Sequence, residues 1–282
     1  MSDVLLASII CGVSYSASSL GQNLNEMKEN LSEKENNLSV LNWGSLYYST
    51  ERFENIKIEK VYHTLLSLDA YVMADYTTKE IHVVFRGTQE FVRDLSEGIL
   101  LKSELMGAQE AYVSTVYADV IQLMNELNNE DPGWTNPIQV TGHSLGGHLA
   151  RTFSQISTAM EVPVECVVFN AAIPTVWERG TADDLMIYSD PSMWGWQGEV
   201  VHVDGLADSS IYPVVSRIML GSEDHGIHSI IEALEGDGSL VSGQAYAAHC
   251  ADPSAVLTIS SFTIISASSH YLSAGRAGLA GP

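Results

Sequence analysis

One five-residue stretch constrains the fold of this chain more than any other. Gly142-His143-Ser144-Leu145-Gly146 lies between a β-rich apolar run, Ile138 to Thr141, and a helical pattern that opens at Gly146. A serine at a strand-to-helix junction needs small neighbours, because the turn is too tight for extra Cβ atoms. The helix starting directly behind it brings its positive end to the serine oxygen and favours negative charge there. A plain glycine-rich turn with an idle serine is the alternative, and the strand before and the helix after argue against it.

The rest of the chain supplies a setting for such a junction. Val4 to Ser14 reads as an amphipathic helix, and Gln22 to Asn37 as an exposed polar helix or loop. Ala70 to Phe85 holds two β-rich runs flanking Asp75 to Glu80, the pattern of a hairpin. Glu90 to Leu101 reads as a short amphipathic helix and Ala108 to Leu127 as a longer one, closed by Asp131-Pro132-Gly133. Gly146 to Met160 continues as a helix, Val162 to Phe169 as a buried strand, and Ile227 to Leu234 as a helix. Leu185 to Ser189 is a short apolar strand running into Asp190-Pro191, where proline ends the ladder. Ser192 to Gly221 reads as loop-rich, and residues from Gly236 onward as small and polar. Strand and helix alternate, so the expected class is α/β, with a mostly parallel central sheet flanked by helices. The 282 residues fit one domain, 1–282, with a core at about 60–235 and a C-terminal extension over 236–282.

Charge narrows the partners. The chain holds 13 Lys and Arg against 35 Asp and Glu, a net −22, and residues 103–282 carry 21 of the acids but only 4 of the bases. Such a surface repels phosphate backbones, which excludes nucleic acid as a partner, and it attracts anionic lipid poorly. Three widely spaced cysteines, Cys11, Cys166 and Cys250, form neither a disulfide framework nor a zinc site. The apolar N-terminus lacks a basic region ahead of it, so no cleavable secretion signal is expected, and no apolar run is long enough to span a membrane. Export by a route that needs no signal peptide stays open.

Two motifs together carry a resemblance. Val83-Val84-Phe85-Arg86-Gly87-Thr88 followed about 55 residues later by Gly142-His143-Ser144-Leu145-Gly146-Gly147 resembles the class 3 lipases, α/β-hydrolases that cleave acyl esters of glycerolipids. The resemblance spans roughly Ala70 to Leu234, and the segments His148 to Ala150 and Phe169 to Ala171 are also similar to bacterial secreted lipases, without their calcium-binding repeats. It implies a Ser–Asp–His triad with Ser144 as nucleophile. It implies an oxyanion hole made by Leu145, through its backbone N–H, and Thr88.

In this fold acid and base follow the serine in that order, and the histidine context leaves a choice. His225, just ahead of the helix at Ile227, sits on a loop that can reach the serine; His228 lies one turn later, and His249 and His270 fall in weakly patterned sequence. Asp190 at the end of its strand is the expected acid, with Asp204 following a similar strand-like run and Asp208 third. Phe91, Leu95 and Ile99 lie where the family carries a helical lid, and Trp194 and Trp196 form a second apolar cluster after the proposed acid. Both fit contact with lipid at a membrane or micelle surface, and both also fit ordinary core packing. The chemistry requires no metal or organic cofactor; a structural calcium is compatible with the many carboxylates, though no EF-hand loop is present. An esterase or acyltransferase acting on small soluble esters, and a catalytically silent hydrolase used for binding, are the competing readings.

Overall fold

A computed structural model describes residues 3–64, 68–87, 103–171, 184–188, 216–220, 226–236, 257–259 and 262–266. Two helices and a 3-10 turn precede the sheet: α1 (Val4–Val13), α2 (Leu24–Glu35) and Leu38–Asn42. A short α3 (Thr50–Asn55) then leads into β1 (Ile56–Tyr62), β2 (Asp69–Asp75) and β3 (Glu80–Arg86). Next come α4 (Ser103–Glu130), β4 (Ile138–His143), α5 (Leu145–Ala159) and β5 (Val164–Phe169). β6 (Asp184–Tyr188), β7 (Ser216–Leu220), α6 (Ile227–Gly236), β8 (Leu257–Ile259) and β9 (Phe262–Ser266) complete the described elements.

The described strands form one nine-stranded sheet in the order β1-β2-β3-β4-β5-β6-β7-β9-β8. From β3 to β7 neighbouring strands are parallel, while β1-β2-β3 at one flank and β7-β9-β8 at the other are antiparallel. The parallel centre is expected to be buried on both faces, and its strands read as near-continuous apolar runs for that reason. β2 has no exposed position, and β5 packs Val167 and Phe169 to one side and Cys166 and Val168 to the other.

Pleating sorts the core into two layers. Tyr71, Met73, Val84, Val167 and Phe169 meet α1, α2 and α6 on one face. Ala70, Val72, Val83, Phe85, Val140 and Val168 meet α4 and α5 on the other. α1 is capped by the Asp3 carboxylate, which accepts from the Leu6 N–H at 3.1 Å, and it is buried nearly all round. Its Leu5, Leu6, Ile9 and Ile10 are at most 1% exposed, and burying each contributes roughly 1.5–3 kcal/mol.

Two expectations change. The segment 22–37 is not an exposed stretch: Leu24, Met27 and Leu31 of α2 are fully buried, an apolar stripe at i, i+3 and i+7 hidden among charges. The segment 192–221 is not all loop, since Ser216–Leu220 is β7. The parallel centre of the sheet is as expected; antiparallel strands extend it on both flanks, and β8 and β9, from the expected extension, are among them. The expected helix over 90–101 lies outside the described residues. Among the described residues no helix is long and apolar enough to cross a membrane.

Two buried histidines make this fold acid-sensitive. Among the described residues, His82 on β3 and His148 on α5 each keep one ring nitrogen, Nε2 and Nδ1 respectively, without a hydrogen-bond partner. Burial lowers His148 from its ordinary 6.5 to about 4, helped by the Arg151 cation. Burial lowers His82 too, with Asp75 opposing and Arg52 assisting. Between the unfolded and folded values the unfolded chain holds more protons, so stability falls as pH falls through that window. The slope is at most about 1.4 kcal/mol per pH unit for each histidine. The variant His148→Leu is therefore expected to flatten the dependence of Tm on pH between 6.5 and 4, measured by calorimetry. An unchanged slope would show that His148 is already protonated in the fold.

Candidate active site

β4 ends at His143 and α5 begins at Leu145, so a single residue, Ser144, makes the whole turn. Its backbone sits at φ 55° and ψ −125°, a region that side-chain-bearing residues rarely occupy. Such a conformation costs of order 1–3 kcal/mol and persists only where the surroundings over-determine it. Here they do. The Ser144 N–H donates to the Phe169 carbonyl at 3.0 Å, and the Gly147 N–H donates to the Ser144 carbonyl at 3.0 Å.

Both glycines of the motif are demanded by close backbone approach. A Cβ on Gly142 would lie 2.2 Å from the Gly146 carbonyl oxygen, and one on Gly146 would lie 2.0 Å from the Phe85 carbonyl oxygen. Glycine thus lets α5 start directly against β3 and β4. At the start of α5 the Leu145 N–H, the first of the helix, points to where an oxyanion beside Ser144 would be met. This strand–elbow–helix arrangement, at the C-terminal edge of parallel strands, is that of an α/β-hydrolase.

The end of β3 closes on the same point. A Cβ on Gly87 would lie 3.3 Å from Ser144 Cβ, 2.6 Å from the His143 carbonyl oxygen and 2.8 Å from the Tyr15 hydroxyl. Arg86, just before it, is tied down from the neighbouring strand: its guanidinium pairs with Asp69, directly opposite in register. The second Asp69 oxygen meets His63 Nδ1 at 3.0 Å. Tyr15 stands 2.9 Å from His143 Nδ1, with the two rings edge to face. Nothing local in the sequence marks Tyr15 or Gly87 as neighbours of the serine; 128 positions separate Tyr15 from His143.

The structure brings Ser144 and Leu145 of the expected site to the elbow, both 5% exposed. Thr88, Asp190, Asp204 and His225 lie outside the described residues, as do Phe91, Leu95, Ile99, Trp194 and Trp196. The elements around two of them are placed. β6 runs parallel to β5, with Ile187 opposite Phe169, and ends at Tyr188, two residues before Asp190. α6 begins at Ile227, two residues after His225, and packs on α1. His228 is described: its Nε2 is 3.4 Å from Glu35, and its ring meets Trp43 edge to face at 4.8 Å.

Among the described residues one group has donor atoms close enough to share a cation, Asp75, Glu80 and His82, within 4.8 Å of one another. It lies at the opposite edge of the sheet, where β2 ends and β3 begins. Arg52 already occupies it, 3.1 Å from Asp75 and 3.9 Å from Glu80.

No protein-family model matches the chain, and no curated protein matches it. Among solved structures it is similar to a triacylglycerol lipase from Penicillium expansum, with 18% identity, 60% of this chain and 72% of that one covered, and a TM-score of 0.38. It is similar to the triacylglyceride lipase of Rhizomucor miehei at 17% identity, covering 61% and 68%, with a TM-score of 0.37. A fungal lipase matches at 14% identity over 80% and 81%, with a TM-score of 0.43.

Proposed function

We propose that this chain is a serine carboxylic-ester hydrolase that releases fatty acid from glycerolipids, as a lipase or a phospholipase A1. One observation carries the reading: Ser144 is held in a strained backbone conformation at the N-terminus of α5, with the end of β3 packed against it. Backbone strain of this kind clusters at active sites, which is what makes Ser144 a candidate nucleophile. The motif pair around Gly87 and Ser144 supports the glycerolipid ester as substrate.

The chemistry follows from the elbow. A base removes the proton from Ser144 Oγ, which attacks the acyl carbonyl. The negative charge that develops on the carbonyl oxygen meets the Leu145 N–H and, in this reading, Thr88. The alcohol leaves with the proton, and water activated by the same base releases the fatty acid. His225 is the proposed base and Asp190 the proposed acid that orients it. Asp204 is the alternative acid. His228, engaged with Glu35 and Trp43, is the less suited base. No step calls for a metal. Phe91, Leu95, Ile99, Trp194 and Trp196 are proposed to meet the acyl chain or the lipid surface.

Active-site labelling tests this directly. A fluorophosphonate is expected to label wild-type protein on Ser144, shown by peptide mass mapping, and to leave Ser144→Ala and His225→Ala unlabelled. No label, with or without detergent micelles, would overturn the reading. A panel of p-nitrophenyl esters and phospholipids then sorts long-chain lipids from small soluble esters.

A further inference from the structure

The end of β3 poses a satisfaction problem next to the serine. β3 last pairs with β4 at Phe85–Gly142 and with β2 at Arg86–Asp69. Gly87 therefore lies past both ladders, and its N–H has no sheet partner among the described residues. An unpaired backbone donor beside a water-excluding site is costly, and its direction in space is undetermined unless something fixes it.

Tyr15 fixes it. The residue sits in the turn after α1, on a helix buried nearly all round. Its own carbonyl accepts from Lys34 Nζ at 3.1 Å, and Ser14 beside it bonds back to the Cys11 carbonyl at 2.7 Å. The phenol is half-buried and reaches across to the elbow. Its oxygen lies 2.9 Å from His143 Nδ1 and packs against Gly87, where an added Cβ would come within 2.8 Å of it. A hydroxyl has one proton and two lone pairs. Whichever of the two donates in the Tyr15–His143 bond, a lone pair of the phenol oxygen remains to face the end of β3.

We infer that Tyr15 is a positioning residue for ester hydrolysis: its hydroxyl clamps the end of β3 to the residue preceding Ser144 and so sets the spacing between the two halves of the oxyanion hole. The inference rests on the reading of Ser144 as the nucleophile. One half of the hole is delivered by α5 at Leu145. The other follows Gly87 on a strand end that no ladder holds. The phenol bonds to His143 on one side and packs against Gly87 on the other. Its reach also explains why position 87 tolerates no side chain, since a Cβ there would collide with the hydroxyl and with the His143 carbonyl.

The test compares wild type with Tyr15→Phe, which keeps the ring and removes only the clamp. Active sites are counted by fluorophosphonate titration, p-nitrophenyl butyrate is the substrate, and an alkyl trifluoromethyl ketone, which forms a tetrahedral adduct with the serine, is the inhibitor. A displacement of about 1 Å at a reacting centre costs about 10²-fold. The expected result is a fall in kcat per labelled site of that order, with KM nearly unchanged, and a parallel weakening of the trifluoromethyl ketone. His143→Asn, whose amide can replace Nδ1 as the partner of the phenol, is expected to keep most of the activity, and His143→Leu to lose it as Tyr15→Phe does. A packing role would lower Tm and the number of labelled sites and leave kcat per site and the ketone affinity alone. That outcome, in an active wild type, overturns the inference and leaves the hydrolase reading standing. A wild type that neither labels nor hydrolyses the ester overturns both.

Discussion

The variant Ser144→Gly is expected to be more stable than the wild type and inactive. At φ 55° and ψ −125° the serine Cβ stands in a conformation that costs of order 1–3 kcal/mol, and glycine adopts it without steric cost. Against this gain stands the extra backbone freedom of glycine in the unfolded chain, about 0.5–1 kcal/mol. The net expectation is about 1 kcal/mol, or roughly 2–4 °C in Tm for a chain of this size. Ser144→Ala keeps the Cβ and hence the strain, so it is expected to show no such gain. Both variants remove Oγ, and hydrolysis is expected to fall on the order of 10⁶-fold in each. Calorimetry and an ester assay on the three proteins separate the two effects. Equal stability of the glycine and alanine variants would mean the elbow stores no strain. Retained turnover in either would place the nucleophile elsewhere.

The elbow is the part of this molecule that sequence reveals best, because its constraints are local. Two glycines flanking a serine, an apolar strand before and a helix after all lie within about twenty residues, and each constraint acts through backbone contact. The β2–β3 hairpin is legible for the same reason: the turn from Asp75 to Glu80 is built by the Asp75 carboxylate, which accepts from the N–H groups of Thr77 and Thr78. β4 and β5 are legible because burial on both faces demands continuous apolar residues.

What escapes a sequence reading is decided by distant partners. β1 alternates Ile with Lys and Glu, and only Ile56 and Ile58 are buried; an edge strand needs one half-dry face, so its apolar signal is thin. α2 looks polar because its buried stripe includes Lys28, whose ammonium donates to the Trp43 carbonyl at 2.8 Å and lies over the Phe53 ring. Burial pushes that lysine down to about 8, yet the side chain still covers apolar surface with its stem. Tyr15 carries no motif at all; only the packing of α1 across the sheet brings it to His143. The Arg86–Asp69–His63 network is equally silent in sequence, since its members meet through strand register alone.

Adding one methyl group to the elbow is expected to cost more stability than any surface change in this protein. In Gly146→Ala the new Cβ would lie 2.0 Å from the Phe85 oxygen, 2.7 Å from the Phe85 carbonyl carbon and 2.9 Å from the Arg86 carbonyl carbon. All three are backbone atoms of β3, so no rotamer change relieves the contact. The N-terminus of α5 would have to lift away from β3, taking Leu145 and Ser144 with it. The expected loss is at the extreme of single substitutions, about 4–5 kcal/mol, roughly a third or more of what a typical domain has to spare. Gly21→Ala is the control: its φ of +78° is also positive, but nothing lies within 4 Å of its Cβ, so only the backbone term of about 1–2 kcal/mol applies. Gly147→Ala is the intermediate case. Its Cβ would meet Ala171 Cβ at 2.6 Å, a side-chain contact that Ala171→Gly can remove, so the double variant is expected to recover part of the loss. No second substitution is expected to rescue Gly146→Ala, because its obstacle is main chain. Urea unfolding of the four variants orders them. A Gly146→Ala protein within about 1 kcal/mol of wild type would mean that α5 has room to move, and a helix with that freedom could not hold Ser144 in its strained turn.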